Sequence, residues 1–594
     1  MAVSVLCLFL FYGLCFSALF CDNGFGKLLK SARRLSLVQV SALALIAVAF
    51  MAFVCYWPRQ DRFVYFWDYA AYWGKTIKRI HFMESNPVSQ SLETLFQSIN
   101  NDDYNLFLPT LLAFPLHLLG YTFPRYVVIC CVLFLLPTLY ILGLTVVKLS
   151  MRPNKGWLYV ACVFAAFCFP VNYYSAFHGY IDVGYLLPMA CAAYLLVDYD
   201  FRRVSPLKNV IIALLLVLIW ICRRYTAYFI IGYVVAMLVK AVAVMLADGS
   251  IKSIKAIVVD FLMIGTISIG LLLLFFRRFF LHALLTDYAQ LYSAYNGTLS
   301  GKVMELVSTF GYISAALILL SGILCLLTKW QIGNYVALLV MGVAEVVLFW
   351  KTQNMGPQHR MILIVPVYIL CVMPLVHWPQ DERLPHGKVL ARRAAAILCM
   401  MAMVMNFTMA FSGFLPATDC GALFSERYTP FQRNDIEALN KLGKKLNALT
   451  KGTKKHVYIA ASGIILNSDI LKKLKMPESD NAVPNMYKTM DVDLRDGFPA
   501  KFLKADYVVA TDPIQVHLPT GQEVVTYLSA LVQDQESYIG RHFKPIDEIV
   551  LDDGVVARIY EKADAFTDDD LRQLREHYEA LYPDHPKKFA DRIQ

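Results

Sequence analysis

The sequence predicts a polytopic α-helical membrane protein that carries a soluble α/β domain at its C-terminal end. Hydrophobic residues make up 58% of the 594 residues and charged residues only 17%, and the mean hydropathy is +0.51. Soluble globular chains of this length do not show such values. Long apolar runs recur up to about residue 412, and the hydropathy then drops. We therefore assign residues 1–412 to a membrane domain and residues 413–594 to a soluble domain.

The apolar runs predict about 11 to 12 membrane spans, because a spanning helix needs roughly 20 apolar residues. Residues 2–20 are also compatible with a signal peptide. A convincing small-residue cleavage site is missing before the basic loop that follows, so we interpret them as a span. The predicted spans lie near residues 2–20, 38–57, 124–148, 156–175, 181–197, 208–222, 225–246, 255–276, 311–328, 334–350, 361–377 and 393–412.

Basic residues collect in short loops on one side of the predicted membrane. This pattern indicates topology determination and argues against nucleic-acid binding, although the net charge is +10. The positive-inside rule makes this side cytoplasmic. The opposite, extracytoplasmic face then carries a long first loop at 58–123 and the tail after 413. The basic loops contain Lys27, Lys30, Arg33, Arg34, Lys148, Arg152, Lys155, Arg202, Arg203, Lys208, Lys252, Lys255, Arg383, Lys388, Arg392 and Arg393.

An aromatic stretch at residues 62–73 stands near the start of the first extracytoplasmic loop. It places Asp68 among seven aromatic side chains, which include Trp67, Tyr69 and Tyr72. One interpretation is an interfacial aromatic belt in which Asp68 caps the next helical turn. The other is a partly dehydrated carboxylate of raised proton affinity, suited to deprotonate a sugar hydroxyl.

The same loop contains two further charged features. Lys75, Lys78 and Arg79 recur at helical spacing, which predicts an amphipathic surface helix with its charges toward phosphate groups. Asp102 and Asp103 lie in a polar cluster. They are equally compatible with ligation of a metal or of acceptor hydroxyls and with a plain polar turn.

A second acid, Asp182, begins a predicted helix on the same face, with His178 close by in sequence. A carboxylate at this position is stabilised by the helix dipole and needs no function. An acid at the membrane edge is nevertheless a candidate site residue by default.

Cationic residues also occur at helix ends on this face. Snorkelling explains a single arginine, whereas an adjacent pair favours an anionic partner such as a lipid phosphate. A His-Arg sequence before a later span either belongs to the same site or anchors that span. The residues concerned are Arg223, Arg224, Arg277, Arg278, His359 and Arg360.

The C-terminal region predicts a small α/β domain. We expect a helix at 434–449, strands at 456–462 and 506–511, and a hairpin at 548–560 that closes at Asp553-Gly554. The region contains no glycine-rich phosphate loop and no nucleophile elbow. We therefore expect it to handle substrate or to support the membrane domain.

This layout resembles the GT-C superfamily of integral membrane glycosyltransferases, and most of all its lipid A aminoarabinose transferase and protein O-mannosyltransferase group. The similarity covers roughly residues 38–412 and concerns the order of the acids, the late His-Arg and the outer C-terminal domain. It implies a GT-C-like enzyme that moves a sugar from a polyprenyl-phosphate donor to a glycan, lipid or protein acceptor. We expect the site on the periplasmic, outer or lumenal face, in a bacterial inner membrane.

The resemblance also implies roles for individual residues. Asp68 matches the first-loop acid and would be the general base, with Asp182 as the second acid. Mannosyltransferase relatives often carry two adjacent acids at this position, whereas here Asp68 is followed by Tyr69. The identity of the donor sugar and the requirement for a divalent cation therefore stay open. The cationic residues above would bind the donor phosphate. Sugar contacts would come from Trp67, Tyr69, Tyr72, Asp102, Asp103 and His178.

The chemistry of sugar transfer is consistent with these roles independently of the family resemblance. A base on the acceptor hydroxyl and cations on the departing phosphate suffice for one direct displacement, which inverts the anomeric carbon. The main alternative is a transporter or lipid flippase, with Asp68 and Asp182 in a substrate pathway. We see no internal repeat of the kind many transporters have. A ligase of preassembled glycans is a further alternative.

Overall fold

A computed structural model describes residues 1–21, 35–150, 155–377, 385–412, 421–474, 483 and 485–594. The basic residues predicted at 27–34, 152 and 383 lie outside these ranges. The described chain divides into two compact units. The first comprises Met1–Gln60, Tyr72–Thr286 and Gly297–Thr429, and the second comprises Asp61–Ala71, Asp287–Asn296 and Pro430–Gln594.

The first unit consists of helices, and the described residues contain nine that are long and apolar enough to cross a membrane. They indicate a polytopic helical integral membrane protein. These helices are Ala2–Phe20, Leu37–Arg59, Phe123–Lys148, Arg224–Asp248, Ile251–Phe275, Leu299–Thr328, Ile332–Trp350, His359–Val376 and His386–Phe411.

The predicted span near 156–175 is a bent helix pair. Gly156–Phe167 and Val171–Phe177 meet at 46°. Pro170 stands between them and has no backbone N–H to continue a helical ladder. If the bent pair counts as one span, the described residues hold up to ten.

Two other predicted spans are short helices. Leu186–Leu196 has 11 residues and Pro206–Cys222 has 17. Both are shorter than the roughly 20 residues that cross the hydrocarbon core at right angles. The predicted number of about 11 to 12 spans is therefore not confirmed.

The remaining helices of the first unit connect these long helices. Phe107–Leu119 has 13 residues, which is too short to cross the hydrocarbon core. The helix Trp67–Ser85 begins in the second unit and continues into the first. The other connecting elements are Val88–Asn101, Ile181–Tyr185 and Arg277–Leu285.

The second unit contains a four-stranded mixed sheet. Its strands are β1 (Val457–Ala460), β2 (Tyr507–Asp512), β3 (Phe543–Val550) and β4 (Val556–Lys562), in the order β1-β2-β4-β3. β1 and β2 are parallel, and the other pairs are antiparallel. The predicted strands and hairpin are confirmed. Asp553 and Gly554 adopt left-handed φ angles of 52° and 72° in the hairpin turn.

Both faces of this sheet are covered by helices. Residues of β1 alternate between two apolar clusters, with Ile459 in one and Tyr458 in the other. The helix Ile436–Thr450, which confirms the predicted helix at 434–449, packs on the first face. The segment Asp61–Ala71 contributes Phe66, only 1% exposed, to the same cluster. The other face is covered by the helices Glu523–Gln533 and Asp568–Leu581.

Candidate functional site

The two adjacent arginines of the first unit lie at a break between two apolar helices. The helix Pro206–Cys222 ends in an extended residue, Arg223, with φ −156° and ψ 132°. A short 3-10 turn, Arg224–Thr226, follows before the next long helix. The Thr226 hydroxyl donates hydrogen bonds to the carbonyls of Ile219 and Arg223, which stabilises this break. Consecutive residues at an extended position point apart, so the two arginines reach different partners.

Arg223 forms a buried ion pair with Asp182. Its Nε lies 2.8 Å from Asp182 Oδ1, and the two side chains are 7% and 0% exposed. The hydroxyl of Tyr225 donates a short hydrogen bond to the same carboxylate oxygen. The Tyr185 hydroxyl lies 3.2 Å from that of Tyr225 and donates to the carbonyl of Gln358 at 3.0 Å. The predicted second acid is therefore the anion of a closed cation–phenol cluster.

Aromatic rings surround the Arg223 guanidinium. Its central carbon lies 4.9 Å from the ring centroid of Tyr72, 5.1 Å from that of Tyr104 and 5.2 Å from that of Tyr225. Each cation–π contact of this kind stabilises the fold by roughly 0.5–1 kcal/mol when exposed and by about 2 kcal/mol when water is excluded. Tyr72, predicted as a sugar contact, thus helps to fix Arg223.

Arg224 points to a different acid, Asp103. Arg224 Nη1 forms a short ion pair with Asp103 Oδ1, and His282 Nε2 lies 3.5 Å from the same oxygen. The Asp103 side chain is 38% exposed, in contrast to the closed cluster around Arg223. A pocket of about 220 Å³ adjoins this ion pair and is lined by Asn100, Asn101, Asp102, Asp103, Arg278, Phe279 and His282. The predicted Asp102, Asp103, Arg224 and Arg278 therefore come together.

The other predicted cations are placed differently. His359 packs its ring on Tyr225 at 4.7 Å, next to the closed cluster. Arg360 instead lies between two carboxylates, at 3.8 Å from Glu305 and 3.6 Å from Glu426. Burial raises the pKa of Glu426, and Arg360 partly offsets this. Arg360 therefore has carboxylate partners, which argues for a structural role.

Two further predicted residues lie at the margin of the site. Arg277 is exposed at the first position of the helix Arg277–Leu285, whereas its neighbour Arg278 lines the pocket and donates to Asn101 at 3.3 Å. His178 is buried with its ring 4.3 Å from that of Tyr174.

The predicted orientation of Arg79 toward phosphate groups is wrong. Arg79 is only 2% exposed. It donates hydrogen bonds to the hydroxyl of Thr110 and the carbonyl of Ser91, which tie three helices together. Helical spacing identified the helix, but it could not show that a neighbouring helix covers this part of it. Lys78 on the same helix is exposed.

Asp68, Trp67 and Tyr69 belong to the second unit. Asp68 is half-buried in the first turn of the helix Trp67–Ser85. The backbone N–H of Trp67 donates to Asp469 Oδ2 at 2.7 Å, and Tyr69 packs against Phe431 at 5.2 Å. The predicted aromatic belt is thus part of the packing of the second unit.

Sequence reasoning assigned no role to several residues of the site, among them Tyr104, Tyr185, Tyr225 and His282. For His282 a signal was present, because it follows Arg278 by four residues and therefore lies on the same helix face. The tyrosines carry no such signal, since their role depends on contacts between distant segments.

Within the described ranges, no group of three or more His, Cys, Asp or Glu side chains is placed to hold a metal ion. No family model and no curated protein matches the chain. The GT-C resemblance and its implied activity therefore stay predictions.

Proposed function

We propose that the protein is a membrane glycosyltransferase that moves a sugar from a polyprenyl-phosphate donor to a hydroxyl acceptor on the extracytoplasmic face. One observation carries this proposal. Arg224 meets Asp103 beside a polar pocket that also contains Arg278 and His282, at the ends of membrane-length helices. A lipid phosphate needs cations there, because its tail stays in the bilayer while its charge stays at the surface.

The cations suit the leaving group of the reaction. Breaking the bond between an anomeric carbon and a phosphate oxygen places negative charge on that phosphate. Preorganised cations stabilise the developing charge without reorganising during the reaction. Arg224 and Arg278 would contact the phosphate directly, and the charge-balanced Asp182–Arg223 pair would hold the helix break from which Arg224 extends. Asp182 keeps Arg223 in place and is therefore a positioning residue in this proposal.

The reaction also needs a base on the acceptor hydroxyl. Asp68 is our candidate, because it is a half-buried carboxylate with aromatic neighbours. It would accept the hydroxyl proton as the acceptor oxygen attacks the anomeric carbon and the carbon–oxygen bond to phosphate breaks. A single displacement of this kind inverts the configuration of the anomeric carbon.

A sugar-transfer assay with purified full-length protein and short polyprenyl-phosphate sugars tests the proposal. We expect transfer with inversion, and a loss of about 10²–10⁴-fold in Asp68→Asn, the range that general bases contribute. Asp564→Asn, at an exposed position of the second unit, is the matched control. Undiminished transfer in Asp68→Asn would remove Asp68 as the base, and a retained configuration would exclude direct displacement.

A second pair of variants tests the phosphate contacts. Arg224→Gln should raise the KM for the donor more than the KM for the acceptor, because it removes a charge next to the pocket. Lys78→Gln removes an exposed charge outside the pocket and is the control. Equal effects of both substitutions on donor KM would show that only general surface charge matters.

A further inference from the structure

The second unit has its own polar cluster at the carboxyl edge of its parallel strands. Ser462 follows β1, and the chain after β2 returns to pair with it through a bridge to Val516. His517 comes next and lies against Ser462. In α/β sheets, ligands bind outside the carboxyl ends of parallel strands. The position of this cluster is therefore that of a ligand site.

The imidazole of His517 is held at its Nδ1 atom. This atom lies 2.8 Å from the carbonyl oxygen of Ser462, which favours a proton on Nδ1, and 3.1 Å from Gln522 Nε2. Its backbone N–H donates to Gln522 Oε1 at 2.8 Å, which fixes the loop. Burial lowers the pKa of His517. The Nε2 atom is then an acceptor for a hydroxyl group.

Two acids of the cluster, Asp491 and Asp496, share one arginine, Arg495. Arg495 forms two parallel hydrogen bonds to Asp496, both 2.8 Å long, which already neutralise it. Asp491 also lies 3.5 Å from Arg495 and accepts a hydrogen bond from the Ser462 hydroxyl. Burial raises the pKa of Asp491. Because Arg495 bonds mainly to Asp496, the Asp491 carboxylate is suited to accept hydrogen bonds from ligand hydroxyls.

Aromatic rings border the same cluster. Trp67 packs on His517 with ring centroids 4.5 Å apart, and Tyr295 lies 6.4 Å from it. Trp67 holds a left-handed φ of 45°, which is strained for a large aromatic residue. Its N–H bond to Asp469 maintains this conformation. Strain of this kind concentrates at ligand-binding positions.

Tyr295 belongs to the segment Asp287–Asn296, which lies close to the chain at Gly521. A Cβ at Gly521 would come within 2.7 Å of the Ala294 Cβ, so the two segments are in close contact. Burial raises the pKa of Tyr295 to about 12; Arg495 opposes this, while Asp491 and Asp68 add to it. Asp68 therefore acts electrostatically on this cluster.

From this arrangement we infer that the carboxyl edge of β1 and β2 binds a pyranose sugar, with Trp67 and Tyr295 against the ring and Asp491 and His517 on its hydroxyls. Sugar rings pair an apolar face with many hydroxyls, and the cluster offers both kinds of contact. In the setting of the proposed transferase, on which this step rests, the ligand is the acceptor glycan, and Asp68 lies in the unit that binds it.

Saturation-transfer NMR on the full-length protein in lipid nanodiscs tests this inference. The probes are the methyl glycosides of glucose, galactose, mannose and N-acetylglucosamine. Maltoside detergents are avoided, because their headgroups would compete. We expect signal from at least one probe, weakened about tenfold or more in both Asp491→Asn and His517→Asn. His517→Asn keeps a donor for the Ser462 carbonyl but removes the Nε2 acceptor.

The control is Asp534→Asn, an exposed acid of the same unit, which should bind like the unmodified protein. Absence of signal from all four probes, or unchanged binding in both variants, would overturn the inference. The transfer assay separates this failure from that of the proposed function. Transfer without saccharide binding would refute only this site, and saccharide binding without transfer would refute only the transferase.

Discussion

Each unit contains an aspartate–arginine pair in a cluster that includes aromatic residues, and the two pairs differ in how far they are exposed to solvent. Asp182 and Arg223 are 2.8 Å apart with side chains 0% and 7% exposed. Asp491 and Arg495 are 3.5 Å apart with side chains 16% and 32% exposed. Arg495 also has a second acid, Asp496, at 2.8 Å. The first pair is closed and balanced, whereas the second is half-open and its arginine is shared between two acids.

This difference separates a positioning role from a binding role. A closed, balanced pair has little capacity to exchange a partner for a ligand, because exposing either charge leaves the other without compensation. A half-open pair whose arginine already bonds to a second acid can do so at small cost. We therefore treat Asp182 as a residue that holds Arg223, and Asp491 as a residue that meets a ligand.

The largest expected effect is on the closed pair. Asp182→Ala should lower the free energy of unfolding by about 3–5 kcal/mol, because it leaves the Arg223 charge buried without its carboxylate. Thermal unfolding of the full-length protein in nanodiscs measures this loss.

The double variant Asp182→Leu with Arg223→Met is the matched control. Replacing both members of a buried pair by apolar groups is often neutral for stability. We expect it to recover most of the loss while transfer activity stays low. A double variant as unstable as Asp182→Ala alone would show that the unpaired Arg223 charge is not the cause of the loss.

A buried acid that accepts hydrogen bonds from neutral donors sharpens the comparison. Asp493 is 1% exposed, and burial raises its pKa to about 7. It accepts hydrogen bonds from the Tyr582 hydroxyl and the Val524 N–H. Because the unfolded pKa is near 4, this acid stabilises the fold at low pH and loses that contribution as pH rises through 7. Between pH 5 and 8 the expected loss is roughly 2–3 kcal/mol.

Asp493→Asn should remove this pH dependence, since an amide imitates the protonated acid. Hydrogen exchange of peptides from β2, corrected for the intrinsic effect of pH, measures the opening of the second unit. Asp564→Asn, at an exposed position, should keep the slope of the unmodified protein. An unchanged slope in Asp493→Asn would place the dependence on other groups.

Structural features that depend on local sequence patterns could be predicted from the sequence. Apolar runs predicted the long helices, and Asp553-Gly554 predicted the turn of the hairpin. Hydropathy could not separate a crossing helix from a short one, as at Pro206–Cys222, because both are equally apolar.

The composition of each site could not be predicted from local patterns. The adjacent arginines were visible as a pair, but their two partners, Asp182 and Asp103, come from distant segments. Asp68 was assigned to an aromatic belt or a catalytic base, and its inclusion in the second unit depends on Phe66 entering that core. Contacts between residues that are far apart in the sequence leave no periodic pattern in it.

The smallest expected effect is on the half-open pair. Asp491→Asn should change the free energy of unfolding by at most about 1 kcal/mol, as for other partly exposed ion pairs. Arg495 keeps its two bonds to Asp496, and the amide oxygen still accepts from Ser462. Hydrogen exchange of β2 measures this change, and the saccharide affinity is measured on the same variant. A loss as large as that of Asp182→Ala would make Asp491 a structural residue, and the binding defect would then be a consequence of unfolding.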